Sequence, residues 1–371
     1  MDLIVLILIT AAVFILQGIL FKKRTFRNVN YKCRFSRSEA YEGDELQLVE
    51  TVENCKRLPV PWLKVSIHSS RWLDFADSFS RVTQEGRYVT SSFFLKGFQK
   101  VTRRWKLKCL KRGVYEIENV TFLGADLIGS STISIAVPVN ETIKVYPSLI
   151  DLEEYFVPAN FIQGNTIVKR WIVDDPFLVA GAREYTPRDS MNKVNWSATA
   201  RTGHTMVKKN DFTSQLSLCL ILNIQSFENE YSDFGDKNEV EFGIKAAASI
   251  LDRATHMGMP TRLMVNGSDS KKGNMTTITK EAGGTEHFFD LMEVLAKLKL
   301  KEANDFELFL GEVGDQIENS HVYVITAFIT DAIIENIRKL SASSNRITLM
   351  LLDETVKVLV PEDIEVYKLI K

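Results

Sequence analysis

A change of hydrophobic rhythm near residue 149 constrains this chain more than any other feature. Before it, apolar residues recur at every second position. In "WLKVSI", Leu63, Val65 and Ile67 point one way, Lys64 and Ser66 the other. In "RRWKLKCL", Trp105, Leu107 and Cys109 alternate with Arg104, Lys106 and Lys108. Such alternation between turn signals like "YEGD" and Gly113 specifies half-buried antiparallel strands. "DELQLVETVEN" and "KRGVYEIENVTF" repeat it. "PVPW" at 59–62 favours an edge strand or a loop leading into one, because proline donates no ladder hydrogen bond. About seven short strands in about 110 residues predict an Ig-like β-sandwich over 31–148.

From residue 215 the strands become continuously apolar and alternate with helices. "QLSLCLILN", "TRLMVNG", "HVYVIT" and "RITLMLLD" read as strands. "EHFFDLMEVLAKLKL" and "DAIIENIRKLS" read as helices. "NEVEFGIKAAASILDRATHMG" is a third, with Val240, Ile244, Ala247, Leu251 and Ala254 on one face and Gly258 as its stop. Apolar strands separated by helices mean a parallel sheet covered on both faces, a doubly wound α/β domain over 211–371. Sites in such domains lie beyond the carboxyl ends of the strands.

The N-terminus adds a third element. Residues 3–21, "LIVLILITAAVFILQGILF", carry no charge. As a helix they span about 28 Å, the thickness of a bilayer core. No basic n-region precedes them and no A-x-A site follows, so an anchor fits better than a cleaved signal. Lys22, Lys23, Arg24 and Arg27 follow the run while Asp2 precedes it. The positive-inside rule then places the main body in the cytoplasm of a single-pass cell-membrane protein. The expected fold class is α+β multidomain: an N-terminal transmembrane helix with its basic flank (1–24), the sandwich (31–148), a connector (149–210) and the α/β domain (211–371).

Charge and cysteine usage narrow the partners. Net charge is −1, so no bulk field draws nucleic acid. Residues 1–210 hold 30 basic and 21 acidic residues, and residues 211–371 hold 16 and 26. A basic half near the membrane suits an anionic leaflet. Residues 96–112 hold eight basic and no acidic residues. Their alternation with apolar positions reads as the solvated face of two strands, with lipid headgroups the favoured functional alternative. Cys33, Cys55, Cys109 and Cys219 are far apart without metal-ligand spacing, which predicts buried free thiols.

Catalytic motifs are absent: there is no G-x-S-x-G, H-E-x-x-H, Walker A or G-x-G-x-x-G after a strand. The densest constellation is "AREYTPRDSMNKVNWSATARTGHTMVKK", residues 182–209. Pro187-Arg188-Asp189 forms a turn, and Asp189 caps a helix from Ser190 with Met191, Val194 and Ala198 on one face. Gly203 ends the helix and "TMVKK" starts a strand. Asp189 and Arg201 stand about 18 Å apart along that axis, too far for one small catalytic site. Arg183 or Arg188 is the nearer partner for Asp189, with Arg183 expected to pair with it at the helix start, and Trp196 is expected to pack at the junction.

Arg183, Tyr185, Pro187, Asp189, Val194, Trp196, Ala200, Arg201, Val207 and Lys208 resemble the signature R-x-Y-x-P-G-D-x-x-R-x-I-x-W-x-x-x-A-R, followed by a V-K strand, of the domain of unknown function 58 family. The chain departs from it at Arg188, where glycine is usual, and at Asn192, where arginine is. "YEGDELQLVETVENCKRLPVPWLKV" and "LKRGVYEIENVTFLGADLIG" are similar to the family's β region. The resemblance implies a membrane-anchored protein whose C-terminal domain is von Willebrand type A-like. It also implies a partner, a MoxR-type AAA+ ATPase, and a role in assembly or maturation of protein complexes. Arg183, Tyr185, Pro187, Asp189, Trp196, Arg201 and Lys208 become the candidate partner surface.

A metal-binding type A domain carries D-x-S-x-S after its first strand. Here Asn223, Gln225 and Phe227 stand at those places, and Thr326-Ala327 replaces a second acidic loop. Asp331 begins a helix, where an N-cap role suffices. A bound metal is therefore not expected, nor any other cofactor. The function expected is a non-enzymatic membrane-anchored adaptor, contacting ATPase and lipid but no nucleic acid. An extracellular metal-dependent adhesion module or an unrecognised hydrolase are the alternatives.

Overall fold

The computed structural model describes residues 25–76, 80–84, 86–125, 132–158, 182–185, 194, 196–208, 217–227, 237–269, 276–353 and 364–370. The chain divides into two compact units, Met1–Ser148 and Leu149–Lys371.

The described part of the first unit is all strand. It contains β1 (Val29–Phe35), β2 (Glu39–Tyr41), β3 (Glu45–Asn54), β4 (Val60–Ser69), β5 (Leu73–Phe75), β6 (Ser80–Val82), β7 (Arg87–Leu95), β8 (Lys100–Cys109), β9 (Gly113–Ala125) and β10 (Thr132–Tyr146). They form one sheet of order β1-β3-β8-β5 and another of order β2-β10-β9-β4-β7-β6. The ten strands exceed the seven expected because short β2, β5 and β6 carry little periodic signal. The alternation predicts the pleat correctly. Leu63, Val65 and Ile67 are fully buried, as are Leu107 and Cys109, while Arg104, Lys106 and Lys108 face solvent. Both sheets contribute to one core, with Leu48 and Trp105 from the first and Val65, Phe93 and Phe122 from the second.

Two expectations change. β4 is an interior strand, paired with both β7 and β9, so "PVPW" is the loop entry to a strand, with Pro59 just ahead of β4, and not an edge. Pro61 is tolerated there because it falls in a register shift between Val60 and Leu63, where the ladder is already interrupted. Cys55 is exposed, unlike buried Cys33, Cys109 and Cys219, because it lies just past the end of β3.

The second unit holds β11 (Phe156–Pro158), β12 (Ala182–Glu184), β13 (Met206–Lys208), β14 (Ser217–Leu222), β15 (Thr261–Val265), β16 (Gly267–Asp269), β17 (Thr277–Ile278), β18 (Leu298–Ala303), β19 (Ser320–Thr326), β20 (Arg346–Leu351) and β21 (Glu365–Leu369). Its helices are α1 (Leu152–Tyr155), α2 (Trp196–Thr202), α3 (Asn238–His256), α4 (Thr285–Lys297), α5 (Phe306–Gly314) and α6 (Asp331–Ala342). The main sheet has order β11-β21-β20-β19-β14-β15-β17. Its five central strands run parallel, and antiparallel β11 and β17 close its edges.

Alternate strand residues face opposite helical layers. Cys219, Ile221, Val324 and Leu351 pack with Phe306 and Phe309 of α5 and Ile333 and Ile337 of α6. Ile325 and Leu352, of the other parity, approach α3 so closely that a Cβ on Gly243 would lie 3.3 and 2.7 Å from their side chains. The five residues expected on the buried face of α3 are all fully buried, and Gly258 follows with φ 70°. The "LKL" tail of the next helix is strand β18 instead, pairing with β16; its alternation outweighs the helical run before it. Among the described residues no helix is long and apolar enough to cross a membrane, and the 3–21 run lies outside them.

Candidate functional site

β14 lies between β15 and β19, so strand order reverses at its carboxyl end, where open parallel sheets place their ligand sites. The residues leaving β14, β15 and β19 there are Asn223, Asn266 and Thr326. Asn223, Asn266 and Thr326 are fully buried and Gln225 is nearly so. Asn223 Nδ2 donates to Thr326 Oγ1 at 3.0 Å. Its Oδ1 accepts from the Gln225 backbone N–H and from Asn266 Nδ2, both at 2.9 Å. Asn266 Nδ2 also donates to the Asn304 carbonyl, and Asn266 Oδ1 accepts from the Ile224 N–H at 2.8 Å. Gln225 Oε1 accepts the first N–H of α5, from Phe306, at 2.9 Å. Thr326 Oγ1 donates onward to the Phe328 carbonyl.

This donor set does not fit a divalent ion. Such ions require several free oxygens, usually including carboxylates. Every side-chain oxygen here is neutral and already accepts a hydrogen bond. The nearby acids are engaged elsewhere: Asp305 caps α5 through the Glu307 and Leu308 N–H groups, and Glu307 accepts from Thr330. Among the described residues no group of three or more His, Cys, Asp or Glu could hold a metal. Asn266 is the member that sequence reasoning missed, since its importance lies in contacts to positions about forty residues away. Asp331 is not the cap of α6. Thr330 is, accepting from Ile333 N–H at 3.2 Å, and Asp331 is the first helical residue. In the segments that carry the network, Phe227 is 44% and Leu308 70% exposed, alongside exposed Asn304 and Asp305.

The signature stretch builds a small unit of its own. β12 pairs antiparallel with β13, placing Arg183 opposite Val207 and Ala182 opposite Lys208. Tyr185 N–H extends the ribbon to the Thr205 carbonyl at 2.8 Å. α2 connects them and is tied down by Thr199 Oγ1, which accepts from Met206 N–H at 2.9 Å. Gly203 ends the helix with φ 75°, a left-handed conformation that suits glycine.

The expected junction packing of Trp196 is not what the structure contains. α2 buries none of its residues, and Trp196 is 67% exposed. The helix is only seven residues long, and among the described residues no core cluster includes it. Arg201, on its last turn, is exposed too. Val194 is buried, but it is a β-bridge residue ahead of the helix, which begins at Trp196, and Ala198, expected on the same helical face, is only half-buried. Pro187, Asp189 and the helix start expected at Ser190 lie outside the described residues, and with them the expected Arg183–Asp189 pair.

A buried carboxyl in the sandwich also escaped notice. Glu50 sits on the inward face of β3, fully buried. It accepts from Tyr31 Oη at 3.2 Å, Ser91 Oγ at 3.0 Å and Trp105 Nε1 at 3.1 Å. Burial raises its pKa, against those hydrogen bonds and the Arg103 charge. Burial likewise pushes the adjacent Cys33 thiol up to about 12. Glu50 is enclosed on all sides, which suits a structural hub better than a catalytic acid.

Residues 181–365 match the family model described as "Protein of unknown function DUF58". No curated protein matches the chain. Similar solved structures include a non-cellulosomal cohesin from the hyperthermophilic archaeon Archaeoglobus fulgidus. It is 15% identical, with 37% of this chain and 99% of that one covered and a TM-score of 0.22. The CARDB domain of a Pyrococcus furiosus protein is also 15% identical, with 33% and 96% covered and a TM-score of 0.23. A Salmonella alpha-2-macroglobulin is 19% identical over 36% of this chain and 8% of that one, with a TM-score of 0.24.

Proposed function

Residues 181–365 make this chain a member of the DUF58 family, and from that premise we propose that it is a non-enzymatic, membrane-anchored adaptor. Its partner is a MoxR-type AAA+ ATPase, and its role lies in assembly or maturation of protein complexes. The C-terminal sheet is read as a von Willebrand type A-like domain with a degenerate metal site, and the sandwich as Ig-like. Residues 3–21 are the anchor, with the main body in the cytoplasm.

The observation that carries the reading is that Trp196 and Arg201 are both exposed, on different sides of a helix with no buried residue. Leaving a large aromatic in water forgoes roughly 1.5–3 kcal/mol of burial. Tryptophan and arginine are also the residue types that dominate interface energetics. The amide network supports the same direction. Its neutral, mutually hydrogen-bonded side chains at the carboxyl edge of the sheet suit contact with a protein better than binding of an ion.

The test is capture of a MoxR-type ATPase by the full chain after crosslinking in native membranes. Trp196→Ala and Arg201→Ala are expected to weaken capture by about 2 kcal/mol or more, roughly thirtyfold, for whichever residue is central. Undiminished capture by both variants would remove the signature stretch as the contact surface.

A further inference from the structure

At one end of the sandwich, four apolar side chains stand in water together. Leu58 is 57%, Trp62 41%, Phe94 60% and Phe98 73% exposed. Trp62 and Phe94 both lie within the register shift of the β4–β7 pair, between the Val60–Leu95 and Leu63–Phe93 partners. Leu58 and Phe98 come together because two turns are laced to each other. Phe98 N–H donates to the Lys56 carbonyl at 3.1 Å, and Asn54 Nδ2 bridges the Leu58 and Lys96 carbonyls at 2.9 Å each. Gly97 allows the approach, since a Cβ there would lie 2.3 Å from the Arg57 carbonyl oxygen. Phe98 itself adopts φ 54°, an unfavourable backbone for an aromatic residue. Exposure and strain coincide at the tip. Arg57 and Lys96 are exposed beside these residues.

The first described residue of the chain meets the same turn. Lys56 Nζ donates to the Thr25 carbonyl, and Cys55 N–H donates to the Asn28 carbonyl at 2.9 Å. Between Thr25 and the apolar 3–21 run lie only Lys22, Lys23 and Arg24. Whatever their conformation, four residue steps reach at most about 14 Å. The headgroup layer of a leaflet is itself about 5–8 Å thick. If the run is in the bilayer, the tip is held at the headgroups. Aromatic rings and basic side chains are the residue types that favour that layer.

We propose that Leu58, Trp62, Phe94 and Phe98, with Arg57 and Lys96, form a second membrane contact that seats this end of the sandwich on an anionic bilayer surface. The proposal rests on the reading of residues 3–21 as an anchor. The anchor alone would leave the sandwich free to swivel. The tip would fix its orientation, with apolar rings at the acyl boundary and cations among anionic headgroups.

The test uses the full chain reconstituted into phosphatidylcholine vesicles with and without phosphatidylglycerol. Flotation reports anchoring. Docking of the tip is read from quenching by acyl chains brominated near the headgroup, as the emission difference between wild type and Trp62→Phe. The expected result is flotation in both vesicles, with Trp62 emission quenched strongly only when phosphatidylglycerol is present. Arg57→Gln and Lys96→Gln should each lower the docked-to-undocked ratio about fivefold while flotation is unchanged. Flotation without quenching of Trp62 would overturn the proposal, leave the anchor standing and point to a protein as the occupant. Equal quenching in both vesicles would overturn the anionic specificity. Failure to float would remove the anchor and the tip contact together.

Discussion

Trp105 donates its indole N–H to the Glu50 carboxyl across 3.1 Å, from β8 to the neighbouring β3 in the interior of the sandwich. Ser91, from the other sheet, donates to both oxygens of the same carboxyl at 3.0 Å. Glu50 therefore ties the two sheets together through one buried group, with Tyr31 as a third donor.

That arrangement predicts a pH dependence with a definite sign. Burial raises the folded-state pKa of Glu50 above the unfolded value of about 4.3. Between those two values the folded state holds a proton that the unfolded state has lost, so stability falls as pH rises through the window. It is flat above and below. Urea unfolding across pH should show this falling limb in the wild type minus Glu50→Gln difference. A difference curve that rises with pH would show that the hydrogen bonds outweigh burial.

Trp196→Ala should change stability by no more than about 0.5 kcal/mol, as surface substitutions do. A loss of about 3–5 kcal/mol, the cost of truncating a buried tryptophan, would mean that its 67% exposure does not persist in solution. Thermal unfolding of the variant decides between them.

Asn223→Ala would strand the Gln225 backbone N–H and remove one partner each from Asn266 and Thr326. A buried group without its partner costs about 1–3 kcal/mol, so the variant should unfold at lower denaturant. Titration calorimetry of the wild-type protein with Mg²⁺ or Mn²⁺ should show no stoichiometric site. Micromolar binding would reopen a metal-dependent adhesion function.

Gly97→Ala should destabilise the chain by about 1–3 kcal/mol, the usual cost of overpacking. The added methyl meets the Arg57 backbone oxygen, which cannot swing aside as a side chain could. Chemical denaturation measures the loss, and an unchanged midpoint would show that the two turns separate easily.

Protease added outside intact cells should leave residues 31–371 uncut, given the basic flank after the 3–21 run. Cleavage within β3 or β8 with the membrane sealed would reverse the orientation.

Periodicity determined which side of the long strands and of α3 is apolar, because that depends only on neighbours two or four positions away. "WLKVSI" and α3 needed nothing further to show their buried faces. The signature stretch was equally legible as a motif, and its ribbon and terminating Gly203 follow from local turn chemistry. What the sequence could not decide was anything set by distant partners. Glu50 occupies a core position of β3 that its polarity argued against. It is tolerated because its three donors, 19, 41 and 55 residues away, meet it only after both sheets pair. Asn223 and Thr326, 103 residues apart, form one network with Asn266 only once parallel strands align their carboxyl ends. Trp196 is expected at a packed junction, yet it is 67% exposed on a helix that buries none of its residues. Burial is a property of what packs against a residue, and only the tertiary structure supplies or withholds that layer.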